Sequence, residues 1–569
     1  MLTPNLSVNA QGHLCIGGAD CVTLAEQHGT PLYVMDENMI RQNCRSYQDV
    51  LNSECSSGGL ICYASKAFSC KEIYRIVDSE GLGTDVVSGG ELYTALKAGM
   101  PAEKIVFHGN SKSNNELEFA VQSGVGRIVC DNLPELARLN AVAAAQGKVV
   151  SVMLRVKPGI DAHTHDFIQT GKIDSRFGFA LETGEAEEAV LAATGYANLK
   201  LVGLHCHIGS QILDTEPFAE AARVMVRFMD SLREKHAIVL PELNLGGGPG
   251  IKYIEADDPK PFGEVIRAIL KAMHETCVTL SYPEPFVLFE PGRSIVGGAG
   301  LTLYTVMAKK QIPNVRTYVL VDGGMNDNPR YALYQAEYTA VCANRADQPQ
   351  TERVTLGGKC CESGDLLGEN MPLQAVEPDD IVAVLTTGAY NYSMASHYNR
   401  NPNAEVVMVA DGEPRTIIRR ESYEDIIRND VLTERTLTVD AIWTEMYEAA
   451  KAVLNPRRIS DYVTAGEVGA AIRSKSGKIY TGVCIDTCST LGICAERNAV
   501  FQMISAGEQE IDRVLCILPD GSNGAPCGAC RELMVQLMPG KYHDIEIMLD
   551  YASGKTITLG EITPEWWIK

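Results

Sequence analysis

No apolar run in this 569-residue sequence is long enough to cross a bilayer, which excludes a helical membrane protein. Its first residues, MLTPNLSVNAQGHLCIGG, hold neither the basic start nor the apolar core of a secretion signal, so a cytoplasmic location is expected. Positive charge is scarce as well. Lys and Arg total 50 against 72 Asp and Glu, a formal net charge of −22, which argues against nucleic acid or an anionic membrane as partner. Local arginines can still hold an anionic small molecule. Neither an internal repeat nor a low-complexity segment occurs. Cysteine, by contrast, is abundant at 18 residues. Many thiols lie inside apolar stretches such as VLCILP and GLICYAS, and without a secretion signal most of them read as reduced. The length is too great for one core and predicts two to four domains.

From about Pro31 to Phe289, short apolar runs alternate with segments of helical period. GLICYAS, KIVFHGN, RIVCDN, SVMLRVKPG, LVGLHCHIG, ELNLGGG and PFVLFEPG read as buried parallel strands. The segments between them carry apolar residues at i, i+3 and i+4 and end in glycine, as in NNELEFAVQSG. Repeated units of this kind predict a (β/α)8 barrel over residues 35–289. After Glu290 the texture becomes strand and turn, so residues 1–34 and 290–430 are expected to form a β-rich domain. The polar stretch 419–438 is the predicted boundary. Beyond it, 438–569 opens with a helix, DAIWTEMYEAAKAVL, and a hairpin, GEVGAAIRSKSGKIYTG, turning at Ser-Gly.

A first set of reactive residues sits at barrel-strand ends. CYASKAFS places Lys66 after an apolar strand, where a lone lysine is ordinarily a solvated surface group. NLGGGPG adds Gly246, Gly247 and Gly248, whose bare amides can cradle a phosphate. FEPGRS adds Gly292 and Arg293 for the same phosphate, preceded by Glu290. Lysine, cradle and acid together fit pyridoxal phosphate: the lysine for covalent attachment, the carboxylate to keep the ring nitrogen protonated. GLHCHIGSQ offers His207 for the ring face and Ser210 for the phosphate. A metal on His205 and His207 is not expected, because no carboxylate or thiolate follows at ligand spacing.

In order, YASKAF, FHGNSKS, HTHDFIQTGKIDSRFGF, LHCHIGSQI, GGGPGIKY, EPGR, NPRYALY, CCESGD and GAYNYSMASHYN resemble the motifs of diaminopimelate decarboxylases, in the alanine-racemase-fold group of pyridoxal-phosphate enzymes. The resemblance covers residues from about 10 to 430. It implies that Lys66 holds the cofactor, that His207 stacks on it and that Glu290 pairs with its nitrogen. Ser210, Gly248, Gly292, Arg293 and Tyr390 would contact it. Arg293, Arg330, Tyr334 and Glu362 would hold the substrate's far end. It further implies a homodimer or higher oligomer in which CCESGD donates Cys361, a catalytic residue, and Glu362 across the interface. Two departures, Tyr331 in place of proline and Arg176 in place of lysine, leave the distal specificity open to a D-amino acid or a diamine-forming relative.

The second set lies near the end of the chain. ICAERNAV places Cys494 at the start of one apolar-periodic segment, and PCGAC places Cys527 and Cys530 at the start of another. Thiolates at helix starts are stabilised by free amides, and two helices can bring three sulfurs onto one metal. Three ligands leave the fourth position to water, the mark of a catalytic zinc, and Glu496 beside it suits proton shuttling. A core cysteine plus a redox CxxC is the bland alternative, but it needs no upstream Cys-Ala-Glu. AGEVGAAI, GKIYTG, CAERNAVF, PCGACRELM and TLGEITPEW resemble the cytidine deaminase family in its three-cysteine form, which implies a zinc-dependent α/β/α domain. Where that family clamps a ribose with asparagine and glutamate, this chain has Cys484 and Asp486, so free cytidine is a doubtful substrate. The combined expectation is a bifunctional enzyme. Its rivals are a decarboxylase for another amino acid whose C-terminal domain is a structural zinc or oligomerisation module, and a regulatory protein with both sites dead.

Overall fold

The computed structural model describes residues 2–160, 176–431 and 440–567. The chain divides into two compact units, Met1–Asn429 and Asp430–Lys569. The HTHDFIQTGKIDS segment read above lies wholly outside the described residues, as do 432–439 of the polar boundary.

In the first unit, Gly59–Ala64, Gly83–Val86, Ile105–Phe107, Arg127–Cys130, Val150–Lys157, Leu199–His205, Glu242–Asn244 and Phe286–Phe289 each pair in parallel with the next. The last pairs back onto the first, closing the barrel. Alternation along each strand separates two cores. Cys62, Val106, Val129, Met153 and Leu288 pack with one another and with no helix, so they fill the barrel. Their sequence neighbours, such as Ile61, Tyr63, Ile105 and Phe107, pack outward with helical residues such as Ile73, Leu92 and Leu117. The helices are punctuated by local chemistry. Ser113 and Glu116 form a reciprocal cap at the start of Asn114–Ser123, and Gly124 ends that helix with φ 72°. One barrel strand, Gly83–Val86, was not among the runs read as strands, because Gly, Thr and Asp interrupt its apolar pattern.

Leu32–Asp36, which precedes the barrel, lies between Gly300–Ile312, antiparallel, and Glu405–Ala410, parallel. The β-rich layer is therefore built from segments on both sides of the barrel in sequence. Its strands are accompanied by short helices at Arg293–Val296 and Arg330–Tyr334, the second opened by Arg330.

In the second unit, the hairpin Val463–Ser474 and Ile479–Thr487 pairs further with Ile511–Ile517. Consecutive residues again face opposite ways. Ala471, Leu515 and Met548 pack against Trp443, Met446 and Ala450 of the helix Ala441–Val453. Ile472, Val514 and Ile547 pack against Val500, Met503 and Met534 of the helices Ala495–Ser505 and Gly528–Leu537. The result is a helix–sheet–helix sandwich.

Candidate active sites

A cavity of about 440 Å³ opens at the C-terminal ends of the barrel strands. It is lined by Lys66, His207, Ser210, Gly248, Glu290, Gly292, Arg293, Arg330, Tyr334 and Tyr390. Cys361 and Glu362 are not in it. Both are exposed on the loop between Glu352–Gly357 and Leu366–Leu373, where the Cys361 amide donates to Asn399 Oδ1 at 2.7 Å.

Lys66 follows the first barrel strand in a single helical turn, deep in the barrel yet open to the cavity. The glycines after Glu242–Asn244 are there for space. A Cβ on Gly247 would stand 2.0 Å from the Glu290 carbonyl, and one on Gly248, at φ 126°, 2.4 Å from the Gly209 carbonyl. Only bare backbone fits, which leaves amides to face an anion. Arg293, 5% exposed, donates to Ser210 Oγ at 3.0 and 3.3 Å and to the Tyr253 hydroxyl at 2.5 Å. Arg330 donates to the same Tyr253 hydroxyl at 3.1 Å and to Tyr338 at 2.8 Å. Burial alone would raise the Tyr253 phenol, but the two guanidiniums outweigh it and hold it below its ordinary value.

Glu290 is 6% exposed and accepts hydrogen bonds from His108 Nε2 at 2.6 Å, His205 Nε2 at 3.1 Å and Asn244 Nδ2 at 2.6 Å. Burial favours the neutral acid, yet these donors hold its carboxyl well below the usual range, so it faces the cavity ionised. His205 was set aside as a ligand on local spacing. The fold nevertheless brings Glu290 from 85 positions away, and His108, His205 and Glu290 present their ligand atoms within 4.8 Å of one another. Sequence reasoning also missed Asp85, Arg155 and Asn244. Like His205, each lies in the C-terminal half of a barrel strand, a position that could have flagged them. Burial pushes the Asp85 carboxyl up to about 6.

A pH effect follows. Burial lowers His205 to about 4 against the opposing pull of Glu290, and Glu290 itself is depressed. Both groups bind more protons unfolded than folded, so their stabilisation is present above the unfolded values and fades as pH falls. Thermal melting of the first unit should drop first below about pH 6.5, from His205 and the similarly lowered His207 with Asp85 partly offsetting them, and again below about 4.3, from Glu290. A His205→Gln variant should shrink the upper phase without abolishing it; an unchanged profile would refute this assignment.

In the second unit, Cys494 and Cys527 each cap a helix N-terminus. Cys494 Sγ is 3.4 Å from Cys527 Sγ, which is 3.6 Å from Cys530 Sγ. A disulfide needs about 2.05 Å, whereas sulfurs at tetrahedral zinc, with bonds of about 2.3 Å, stand about 3.8 Å apart. The triad therefore fits a metal. Burial would raise the Cys527 thiol, but the Cys530 amide and the neighbouring thiols bring it below its ordinary value. Glu496 is 5% exposed, lines a cleft of about 580 Å³ with Cys494 and Cys527, and has no hydrogen-bond or ion-pair partner among the described residues. Cys484 and Asp486 line the same cleft, with Glu467, Arg497 and Cys516, which the sequence reading did not single out.

Two family models match the chain: "Pyridoxal-dependent decarboxylase, pyridoxal binding domain" over residues 37–297, and "Cytidine and deoxycytidylate deaminase zinc-binding region" over residues 445–543. The diaminopimelate decarboxylase of Bacillus subtilis is 48% identical over 426 residues, covering 74% of this chain and 96% of that protein. That of Synechocystis is 43% identical over 440 residues, covering 76% and 93%. Among solved structures, diaminopimelate decarboxylase from M. jannaschii in complex with L-lysine superposes with a TM-score of 0.71 at 34% identity, covering 76% of this chain and 99% of that one. The Helicobacter pylori protein complexed with L-lysine gives 0.65 at 34% identity, covering 71% and 98%. Pyridoxal phosphate and zinc are the groups these families carry, and the two sites fit them: a lysine beside a cradle that admits no side chain, and three sulfurs at metal spacing.

Proposed function

Because the chain belongs to the diaminopimelate decarboxylase family, we propose that its first site converts diaminopimelate to lysine, one carboxylate leaving as CO2 and a proton taking its place. The observation that carries this reading is the gathering of Lys66, Glu290 and the glycine cradle in one cavity with two buried guanidiniums, Arg293 and Arg330. Pyridoxal phosphate, when bound, supplies the electron sink that decarboxylation needs. Lys66 anchors it. Gly248, Gly292, Ser210 and Arg293 would take its phosphate, Tyr390 would border it, and Glu290 would hold a proton on its ring nitrogen. His207 lines the same cavity and would pack against the ring face. Burial and the charges of Lys66 and Arg155 keep its imidazole well below its ordinary value, so it packs there uncharged. Arg330 and Tyr334 receive the remote carboxylate, for which a guanidinium gives two parallel hydrogen bonds. Tyr331 points elsewhere: its hydroxyl donates to Glu369 at 2.9 Å and it does not line the cavity, so this departure leaves the substrate end unaltered. Carbon dioxide release from diaminopimelate should exceed that from lysine, ornithine and D-amino acids. A faster rate with any of these would overturn the substrate.

The loop with Cys361 and Glu362 completes a partner's site in a homodimer. Lys66→Ala and Cys361→Ala proteins are each expected to be inactive, and mixing them should restore about a quarter of the wild-type activity if subunits exchange at random, since one hybrid site has both residues. Mixed dimers without any recovery would rule out shared sites.

The second site hydrolyses a C–NH2 group of a cytosine-type compound to C=O and ammonia. Zinc on Cys494, Cys527 and Cys530, when bound, supplies the Lewis acidity that activates water. Glu496 carries the proton from water to the leaving nitrogen. Glu496 faces the cleft beside the sulfurs with no partner among the described residues, a placement that a purely structural zinc would leave without a task.

A further inference from the structure

The turn that leads to Arg330 and the loop that carries Cys361 and Glu362 meet at one buried carboxylate. Asp365 is 4% exposed. Its Oδ1 accepts the Met325 amide and its Oδ2 the Cys360 amide, each at 2.6 Å, the short length of a bond to a charged acceptor. Backbone bonds run beside it, from Gly358 N to the Asp365 carbonyl at 2.9 Å and from Lys359 N to the Gly323 carbonyl at 2.8 Å. A Cβ on Gly324 or Gly358 would overlap the Asp365 oxygens, so both approaches need bare backbone. The Cys360 thiol donates to Asn326 Oδ1 at 3.3 Å across the same joint.

Each side of this joint leads to a different site. The Gly324 carbonyl accepts the amides of Asp327 at 3.0 Å and Asn328 at 2.9 Å, and this turn runs directly into the helix Arg330–Tyr334, whose first residue lines the cavity of its own subunit. On the other side, Cys360 leads outward to Cys361 and Glu362, which are exposed and absent from that cavity. Asn399, which accepts the Cys361 amide, touches the loop and not the turn. Removing the Asp365 carboxylate would strand two amide donors at once, one on each segment.

We propose that Asp365 is a positioning residue for two active sites at once, that of its own subunit through Arg330 and that of the other protomer through Cys361. This role rests on the shared-site reading above. Displacing a reacting group by about 1 Å costs on the order of 10²-fold in rate. Loosening a substrate clamp instead raises KM. The two arms therefore carry different kinetic signatures.

The holoenzyme mixture of Lys66→Ala and Cys361→Ala proteins separates them, because its working site takes Lys66 and Arg330 from the second chain and Cys361 from the first. Asp365→Asn supplies one acceptor where two are needed. Added to the Lys66→Ala chain, it should lower kcat of the mixture about tenfold or more. Added to the Cys361→Ala chain, it should raise KM for diaminopimelate roughly three- to tenfold and leave kcat within about twofold. Asn399→Ala, which frees the loop alone, should act only from the Lys66→Ala chain. A purely structural role would lower yield or melting temperature without this division. Asn326→Ala cuts the thiol link at the same joint and should show the same division at smaller size, so the assignment is decided even if Asp365→Asn does not fold. An effect confined to one chain, or the same kinetic change from both, overturns the two-site role while the shared site stands. No recovery in the parent mixture overturns the shared site, and the two-site role with it.

Discussion

Lys66→Ala protein should remain folded, stay colourless when pyridoxal phosphate is added, and decarboxylate on the order of 10⁴-fold or more slowly than wild type, the scale seen when a covalent catalytic group is removed. Lys66 faces the cavity and makes no hydrogen bond among the described residues, but its charge favours the ionised form of the buried Asp85 carboxyl, so its loss should lower the melting temperature modestly without unfolding the first unit. Visible absorbance reports cofactor held covalently and is independent of turnover. A wild-type protein that never colours, or a variant that colours normally, would remove Lys66 from the anchoring role. Glu290→Gln separates a different function: the cofactor still attaches, but an amide in place of the ionised carboxylate no longer holds a proton on the ring nitrogen, so rate falls while absorbance persists.

Glu496→Gln should retain one zinc per chain and lose deamination by roughly 10²–10⁴-fold, the usual worth of a positioned proton carrier. Cys527→Ser should behave differently. It removes a ligand, so zinc content falls, and because metal binding is coupled to the folded state the second unit should melt at lower temperature. Metal analysis with calorimetry distinguishes the two variants. Undiminished turnover by Glu496→Gln would end the proton-shuttle assignment.

The barrel was legible because its strands are apolar on both faces and its helices carry their own caps, both of which are local signals. Gly83–Val86 escaped because its register, not its composition, makes it a strand. The anchoring lysine and glycine cradle could be read because each is contiguous in sequence. The environment of Glu290 could not: His205 and Asn244 end two strands and His108 follows a third, and only barrel closure aims them at one carboxylate. Zinc spacing was visible in Cys-X-X-Cys, whereas Glu467, Arg497 and Cys516 reach the same cleft through folding that no motif announces.

The placement of Leu32–Asp36 constrains how the protein is made. Its hydrogen-bonding partners, Gly300–Ile312 and Glu405–Ala410, leave the ribosome some 270 and 370 residues later. Until then this apolar strand has two open edges, and the barrel must assemble between it and its sheet. The hairpin Val463–Ser474 and Ile479–Thr487, by comparison, meets its partner within a few residues. Synthesis therefore creates a long interval in which an early, sticky segment depends on chaperones or on the growing barrel for cover. Mutations that slow translation or expose that strand should appear as lost soluble yield, not as altered kinetics.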